Sequence, residues 1–282
     1  MVRDIEWIDR EYNQEKWLDI LSEARRLTTE GEHSMPRLLA LLELYQRTSW
    51  AKACPESSTL DASSFGKLVK VPFAVAFEGF AGLVTRMVCN LCTTETGCVV
   101  ELGSGYGRFL FRTWLSGGPS KAPYFALEYA ESGRDCTTLL GDLEPTMDIS
   151  AYSFNLYEPD YSFLPHGLKH AVIFSCQSIE QVPDLPPESL TGLLDIAEEV
   201  SCLHFEPAGW QMRSDSSPRH ESASGEAYAE ENDYNRNLWP LLGNLESDGL
   251  IHINRKEVDV FGVVPANCVS IVGWSKNRQG VS

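Results

Sequence analysis

The stretch from Val99 to Arg108, VVELGSGYGR, constrains this chain more than any other part of its sequence. An apolar run ends there in three alternating glycines, and a helical pattern follows. Such a sequence predicts a buried strand, a tight turn and a helix N-terminus. Glycine suits a turn whose backbone takes conformations closed to other residues, and it lets a ligand approach the main chain closely. The free N–H groups at the start of the helix would face that ligand.

The spacing of these glycines is Gly-x-Gly-x-Gly, whereas dinucleotide-binding folds carry Gly-x-Gly-x-x-Gly. An acidic residue, Glu101, stands two positions before the first glycine. The stretch resembles motif I of the class I S-adenosylmethionine-dependent methyltransferases, in which the acidic residue helps to place the amino acid end of the cofactor. The resemblance implies S-adenosylmethionine as the cofactor, with contacts from Glu101, Gly103, Ser104, Gly105, Gly107 and Arg108.

A second acidic residue stands where nucleotide-binding α/β units place one. Tyr124 to Glu128 predicts a short buried strand, and Glu128 follows Gly107 by 21 positions. This is close to the spacing at which such units set a carboxylate on the ribose hydroxyls. We therefore expect Glu128 and the adjoining Tyr129 to contact the cofactor. The alternative is a surface acid at a strand end.

Two later segments extend the resemblance. Asn155 and Leu156 follow the third expected strand, where the superfamily offers the adenine a polar side chain and a backbone N–H. The fourth strand ends in SCQSIEQVPD, residues 175–184, which resembles the Ser-x-x-x-Leu-Glu-His-Val-Pro-Asp segment of small-molecule methyltransferases. Gln181 replaces the usual histidine, so no titrating imidazole is implied there. The resemblance assigns Ser175, Cys176 and Gln177 to the cofactor, and Gln177 and Glu180 to the acceptor.

The fifth strand carries the candidate catalytic residues. His204 and Glu206 alternate with Leu203 and Phe205, so the period of two puts them on one face of the strand. If that face borders the cofactor, the two side chains form an acid/base pair. The alternative is a core histidine that is hydrogen-bonded to its neighbours.

Charge and composition exclude several classes of protein. The chain has 282 residues, a net charge of −17 and a pI near 4.7, which argues against binding to nucleic acid or anionic membranes. The start has no apolar signal segment, and no run is expected to span a bilayer, so we expect a cytoplasmic protein. Eight cysteines are too few for a disulfide scaffold, and Cys89-x-x-Cys92 lacks the second pair of a zinc site, so no metal is expected.

The predicted fold is a doubly wound, seven-stranded, mostly parallel sheet with an antiparallel last strand, in the Rossmann-like manner of methyltransferases. Residues 1–92 are expected to form a mostly helical cap, with a loop over 53–64 and two helical pieces from 65 to 92. Residues 93–282 are expected to bind the cofactor. We expect Tyr12 and Trp17 of the cap, and Trp210 beyond the fifth strand, to contact the acceptor. The alternative is that the cap mediates a homodimer and Trp210 only packs.

The implied function is methyl transfer from S-adenosylmethionine to an oxygen, nitrogen or carbon atom of a small molecule, in specialised metabolism. Two alternatives remain open at this point. One is a methyltransferase-like protein that serves as a non-catalytic binding partner, and the other is a nicotinamide dehydrogenase, which the glycine spacing disfavours.

Overall fold

A computed structural model describes residues 3–50, 59–213 and 225–277. These residues form one mixed β-sheet covered by helices on both faces. The strands are β1 Thr59–Ser64, β2 Lys67–Pro72, β3 Thr96–Leu102, β4 Tyr124–Glu128, β5 Ile149–Ser153, β6 Leu168–Cys176, β7 Ala197–Glu206, β8 Ile251–Gly262 and β9 Val269–Lys276. The α-helices are α1 Ile5–Ile8, α2 Trp17–Thr29, α3 Met35–Trp50, α4 Phe73–Leu91, α5 Arg108–Leu115, α6 Glu131–Asp142, α7 Glu188–Thr191, α8 Gly209–Met212, α9 Glu226–Glu231 and α10 Leu238–Ser247.

The strand order across the sheet is β2-β1-β8-β9-β7-β6-β3-β4-β5. The five strands from β7 to β5 run parallel, and β9 pairs antiparallel with both β7 and β8. The predicted fold class is therefore confirmed, including the last strand that inserts beside the fifth parallel one. The strand count is corrected from seven to nine, because β1 and β2 extend the sheet beyond β8.

Alternate residues of the central strands pack into two separate apolar layers, one on each face of the sheet. Val100 and Leu102 of β3 pack in a layer with Leu242 of α10. Val99 packs on the opposite face, in a layer with Leu110 of α5. Strands covered on both faces are buried along their whole length, and this explains the continuous apolar runs in the sequence. The carboxyl ends of β3, β4 and β6 meet at one edge of the sheet.

The segment before α4 is a β-hairpin, and the helix expected from residue 65 to 72 is wrong. Its two-residue turn, Phe65 and Gly66, has φ values of 49° and 74°, which is the backbone of a type I′ hairpin turn. Val69 and Val71 favour a strand, and Pro72 ends it where α4 begins. The expected loop also fails over residues 59–64, which form β1, and its residues 53–58 lie outside the described part of the chain.

Helix α4 is long and apolar enough to cross a membrane by length and composition alone, with a mean hydropathy of 1.3. This corrects the expectation that no run reaches such a length. A buried helix of a protein core passes the same test. In this fold α4 buries one face, including Ala76, Phe77, Ala81 and Val84, and contacts α5, β6 and β7.

The single helix expected from Ala227 to Glu246 is two helices, α9 and α10. Pro240 lies in the first turn of α10, where a missing N–H costs nothing, so the helix begins just before it. Asn235 in the connection accepts a hydrogen bond from the N–H of Leu238 and donates one to the carbonyl of Val182. This connection ties α10 to the segment that follows β6.

The amino-terminal segment is helical, as expected, but its middle is not an α-helix. Residues Asp9–Lys16, between α1 and α2, form a π-helix. Such helices are rare and usually occur as single turns at functional sites.

Candidate functional site

A cavity of about 830 Å³ opens at the carboxyl edge of β3, β4 and β6. Its floor is the glycine turn between β3 and α5, together with the segments that follow β4, β5 and β6. The amino-terminal segment forms one wall. A further part of the wall is apolar and carries Phe73, Phe77, Phe80, Phe109 and Phe261.

The glycine turn needs its glycines for two physical reasons. Gly105 has a φ of 57°, in the left-handed region that disfavours side chains. A Cβ on Gly105 would also lie 2.7 Å from the indole ring of Trp17, and one on Gly103 would lie 2.3 Å from Cβ of Ser178. The turn therefore packs directly against the amino-terminal wall and the segment after β6.

Two side chains beside this turn each keep one polar atom without a partner. Glu101 is 2 % exposed and lines the cavity, and its Oε2 has no hydrogen-bond partner among the described residues. Arg108, also on the cavity wall, donates from Nε to Oε1 of Glu43 over 2.7 Å, whereas its Nη2 is buried and has no partner in the described chain. Burial, followed by the charge of Glu128, raises the pKa of the Glu101 carboxyl well above its usual range.

These two free atoms are a carboxylate oxygen and a guanidinium N–H. The first complements an ammonium group and the second complements a carboxylate. The pair Glu101 and Arg108 thus matches the two charged groups of an amino acid. That is the chemistry the resemblance predicts for this position.

Glu128 lies at the end of β4 and lines the same cavity. Its Oε2 accepts the N–H of Gly105 over 2.6 Å, and its Oε1 accepts the N–H of Ala130 over 2.8 Å. Burial raises the pKa of this carboxyl. Each carboxylate oxygen can accept a further hydrogen bond, so the fixed carboxylate can still bind vicinal hydroxyls.

The remaining cavity residues largely follow the sequence prediction. Ser104, Tyr129, Asn155, Leu156, Cys176 and Gln177 line the cavity, as do Tyr12, Trp17 and Glu180, which were predicted to contact the acceptor. Gln177 has a φ of 53°, which is uncommon for a residue other than glycine and occurs often at functional sites.

The amino-terminal wall is tied to the sheet side of the cavity. Oδ1 of Asn13 accepts the N–H of Ser132 over 2.9 Å, and the carbonyl of Asn13 accepts the Ser132 hydroxyl at the same distance. Tyr157, which follows β5, donates from its hydroxyl to the carbonyl of Arg3 over 2.7 Å. The π-helix contains Asn13, which makes the first of these two ties, and its Tyr12 lies on the cavity wall.

His204 and Glu206 do not fit the predicted catalytic role. His204 is fully buried in β7, and neither side chain lies among the described residues of the cavity wall. Glu206 instead accepts the Ser175 hydroxyl over 2.7 Å and the N–H groups of residues 178, 179 and 180. The two side chains do share one face of the strand, but that face is covered by other parts of the protein.

Three further predicted contacts are corrected. Ser175 is fully buried and bonded to His204 and Glu206, so it lies below the cavity floor. Gly107 is the N-cap of α5 and is not among the described residues of the cavity wall, and a Cβ there would meet Phe111 and Thr137. Trp210, in α8, is not among the described residues of the cavity wall.

The prediction missed several wall residues. Arg3 and Tyr234 also line the cavity, and the phenylalanines of the apolar wall come from α4, α5 and β8. The positions of these residues along the sequence do not reveal a common wall. Among the described residues, no group of three or more His, Cys, Asp or Glu side chains could hold a metal ion.

The strand order and the position of the cavity define a Rossmann-like fold of the class I methyltransferase type. The chain is similar to a geranyl diphosphate C-methyltransferase from Streptomyces coelicolor A3(2), solved with Mg²⁺, geranyl diphosphate and S-adenosyl-L-homocysteine. The TM-score is 0.50 at 9% identity, over 73% of this chain and 82% of that chain. A likeness at this identity shows the shared fold.

Two other similar structures have lower TM-scores. One is a SAM-dependent methyltransferase from Aquifex aeolicus, with 16% identity over 70% of this chain and 89% of that chain, at a TM-score of 0.43. Another is a ribosomal-protein methylase from Lactobacillus delbrueckii subsp. bulgaricus, with 10% identity over 70% of this chain and 79% of that chain, at a TM-score of 0.39. No family model and no curated protein matches the sequence.

Proposed function

We propose that this protein is an S-adenosylmethionine-dependent methyltransferase that acts on a small molecule. One observation carries the proposal. Glu101 and Arg108, beside the glycine turn, each keep one buried polar atom free, and together these atoms complement the ammonium and carboxylate of an amino acid. The methionine end of S-adenosylmethionine is such a group.

The other residues of the floor fit the rest of the cofactor. Glu128 would accept the ribose hydroxyls, and Asn155 and Leu156 would border the adenine, as the resemblance implies. The cofactor supplies an activated methyl group. The protein's share is then to hold the acceptor in line and to keep water out, and both effects can contribute much of the rate.

The amino-terminal wall of the cavity favours a small molecule as the methyl acceptor. Residues from Arg3 to Trp17 close one side of the site, so a large polymer would have to displace them. The net charge of −17 opposes nucleic acid as the acceptor. We infer that residues 1–92 act as a cap on a cofactor-binding domain of residues 93–282, and that the protein works in the cytoplasm.

Calorimetry with S-adenosylhomocysteine tests this proposal. We expect the wild-type protein to bind it, and Glu101→Gln and Arg108→Met each to weaken binding at least tenfold, about 1.4 kcal/mol. Arg112→Met is the matched control, because Arg112 also pairs with Glu43 but does not line the cavity.

Three outcomes would contradict the proposal. A wild-type protein that binds NAD but not S-adenosylhomocysteine would be a dehydrogenase. One that binds neither would be a non-catalytic scaffold of the same fold. An equal loss in Arg108→Met and Arg112→Met would assign Arg108 to packing alone.

A further inference from the structure

A second carboxylate and guanidinium lie on the wall of the same cavity, away from the glycine turn. Glu180 is 6 % exposed and Arg3 is 8 % exposed. Oε2 of Glu180 and Nη1 of Arg3 each lack a hydrogen-bond partner among the residues that the structure describes. Two largely buried residues of opposite charge therefore line one cavity, and these two atoms do not pair with each other.

The free atom of Arg3 belongs to a side chain that is held firmly. Its Nε donates to the carbonyl of Asn232 over 2.5 Å. Its guanidinium carbon lies 4.4 Å from the ring centroid of Trp7 and 4.6 Å from that of Tyr234. A guanidinium stacked between two aromatic rings loses little further freedom on binding an anion, and a carboxylate matches its geometry.

Glu180 is also held in place, by two hydrogen bonds. Its Oε1 accepts Nε2 of Gln181 over 2.7 Å, and its own N–H donates to Oε2 of Glu206 over 3.2 Å. Burial, followed by the charge of Glu206, raises the pKa of the Glu180 carboxyl well above its usual range. A cation beside the free Oε2 would stabilise the ionised form, and an ammonium group is the natural complement.

We propose that Glu180 and Arg3 bind the amino acid head of the acceptor, Glu180 holding its ammonium group and Arg3 its carboxylate. A ligand that carries only one of these charges would leave the other buried group unmatched, which is costly. The site therefore selects a zwitterion. This inference rests on the proposed function, since it names the acceptor class for the same cavity.

The position of Glu180 determines which end of the acceptor would lie nearer to the cofactor. Glu180 follows β6 in the same segment as Cys176 and Gln177, which line the floor of the cavity. Glu180 is consequently the member of the second pair that is nearer to the cofactor residues, and Arg3 belongs to the amino-terminal wall. The amino end of the acceptor would point toward the cofactor, which makes nitrogen the expected methyl acceptor. The ammonium group would first pass a proton to the carboxylate of Glu180, and the neutral nitrogen would then form the N–C bond as the bond from the sulfonium to the methyl group breaks.

A ligand screen with saturating S-adenosylhomocysteine tests the proposal. The probes are the standard amino acids and, for each one that binds, the amine without its carboxylate and the acid without its amine. For phenylalanine these are 2-phenylethylamine and 3-phenylpropanoate. We expect at least one amino acid to raise Tm, and both of its analogues to bind at least tenfold more weakly in calorimetry. Absence of binding by every amino acid, or equal binding of an analogue, would overturn the proposal.

Variants separate the two halves of the site. Glu180→Gln should weaken the amino acid and its amine analogue at least tenfold and leave the acid analogue unchanged, and Arg3→Gln should do the converse. Glu11→Gln is the control, because Glu11 also lines the cavity but pairs with Lys16 at 2.8 Å. An equal loss in Glu11→Gln and Glu180→Gln would reject the specific role.

The affinity for S-adenosylhomocysteine distinguishes this inference from the proposed function. It should be the same in the wild-type protein, Glu180→Gln and Arg3→Gln. If S-adenosylhomocysteine binds and no amino acid does, only the acceptor assignment fails. If S-adenosylhomocysteine itself does not bind, the proposed function fails first.

Discussion

The indole nitrogen of Trp274 donates a hydrogen bond to Nε2 of His204 over 2.9 Å, and this contact fixes the proton on the imidazole. Because an indole N–H can only donate, Nε2 must be unprotonated. Nδ1 then carries the proton and donates to Oγ of Ser175, 3.0 Å away, while the Ser175 hydroxyl donates to Glu206. In this series of hydrogen bonds, each of the three N–H or O–H groups donates once. His204 is thus a neutral structural residue of the sheet.

Acid should destabilise the protein through His204. Burial lowers its pKa from 6.5 to about 3, so the unfolded chain takes up a proton first as the pH falls. The stability that this group contributes is present above pH 6.5 and is lost between pH 6.5 and about 3. Urea unfolding at several pH values should show a slope of up to about 1.4 kcal/mol per pH unit in this window. His204→Leu should lose that slope, whereas His252→Asn, at an exposed position, should keep it.

Glu206 should give stability the opposite dependence on pH. Burial raises its pKa from 4.5 to about 7, although hydrogen bonds from Ser175 and three backbone N–H groups oppose the shift. Its contribution to stability is fully present below pH 4.5 and is lost as the pH rises through about 7. Glu206→Gln should lower the free energy of unfolding by about 1–3 kcal/mol, because donors lose their partner, and should flatten its change between pH 5 and 8. An unchanged pH dependence would mean that Glu206 is ionised throughout.

Gly105→Ala should weaken S-adenosylhomocysteine binding. The new Cβ would lie 2.7 Å from the ring of Trp17 and displace the amino-terminal wall. The left-handed backbone adds a cost of about 1–2 kcal/mol in stability. Gly117→Ala is the control, because Gly117 also has a positive φ but has no atom within 4 Å of the added Cβ. Calorimetry should show lower affinity only for Gly105→Ala, and Trp17→Ala in the same chain should restore part of it.

Glu128→Ala should weaken S-adenosylhomocysteine binding by about 1–3 kcal/mol, the range for buried hydrogen-bond partners left unsatisfied. It should also lower stability, because the N–H groups of Gly105 and Ala130 lose their acceptor. Glu131→Ala, in the following helix and off the cavity wall, is the control for calorimetry. An effect on stability without one on binding would place the ribose elsewhere.

The amino-terminal wall should open when its tie to Ser132 is removed. Asn13→Ala deletes the acceptor of the Ser132 N–H, and Gln14→Ala removes only an exposed contact with Asp9. Hydrogen exchange of residues 9–16 should accelerate in Asn13→Ala, and bound S-adenosylhomocysteine should slow it in the wild-type protein. If the ligand leaves this segment unchanged and a dimer contact maps to it, the segment is an interface and not a cover.

The predicted residues that the structure brings to the cavity floor are those set by local spacing. The glycine turn follows β3, Glu101 lies near the end of β3 and Glu128 ends β4, and parallel strands bring such ends to one edge of the sheet. The free atoms of Glu101 and Arg108 agree with the predicted chemistry. The site beyond that edge depends on distant segments, and no local pattern relates Arg3 to Glu180.

The incorrect predictions arise because a local sequence pattern does not show how the rest of the protein packs around a residue. A period of two shows that His204 and Glu206 share a face, but it does not show that β7 is covered on both faces. Phe65 has a φ of 49° in the hairpin turn. Because glycine, asparagine or aspartate is usual at such a position, the sequence around Phe65 does not predict a turn. Trp210 is close in sequence to the end of β7, and yet it is not among the described residues of the cavity wall.

The hairpin that widens the sheet also supplies its outermost strand. Among the residues that the structure describes, β2 pairs with β1 alone, and an open strand edge can recruit another chain. Lys67 and Lys70 are exposed along β2, and Pro72 at its end has no N–H to donate. A second copy that added its β2 to this edge would bring these lysines together. The edge is thereby protected against the strand-by-strand growth that produces aggregates and fibrils.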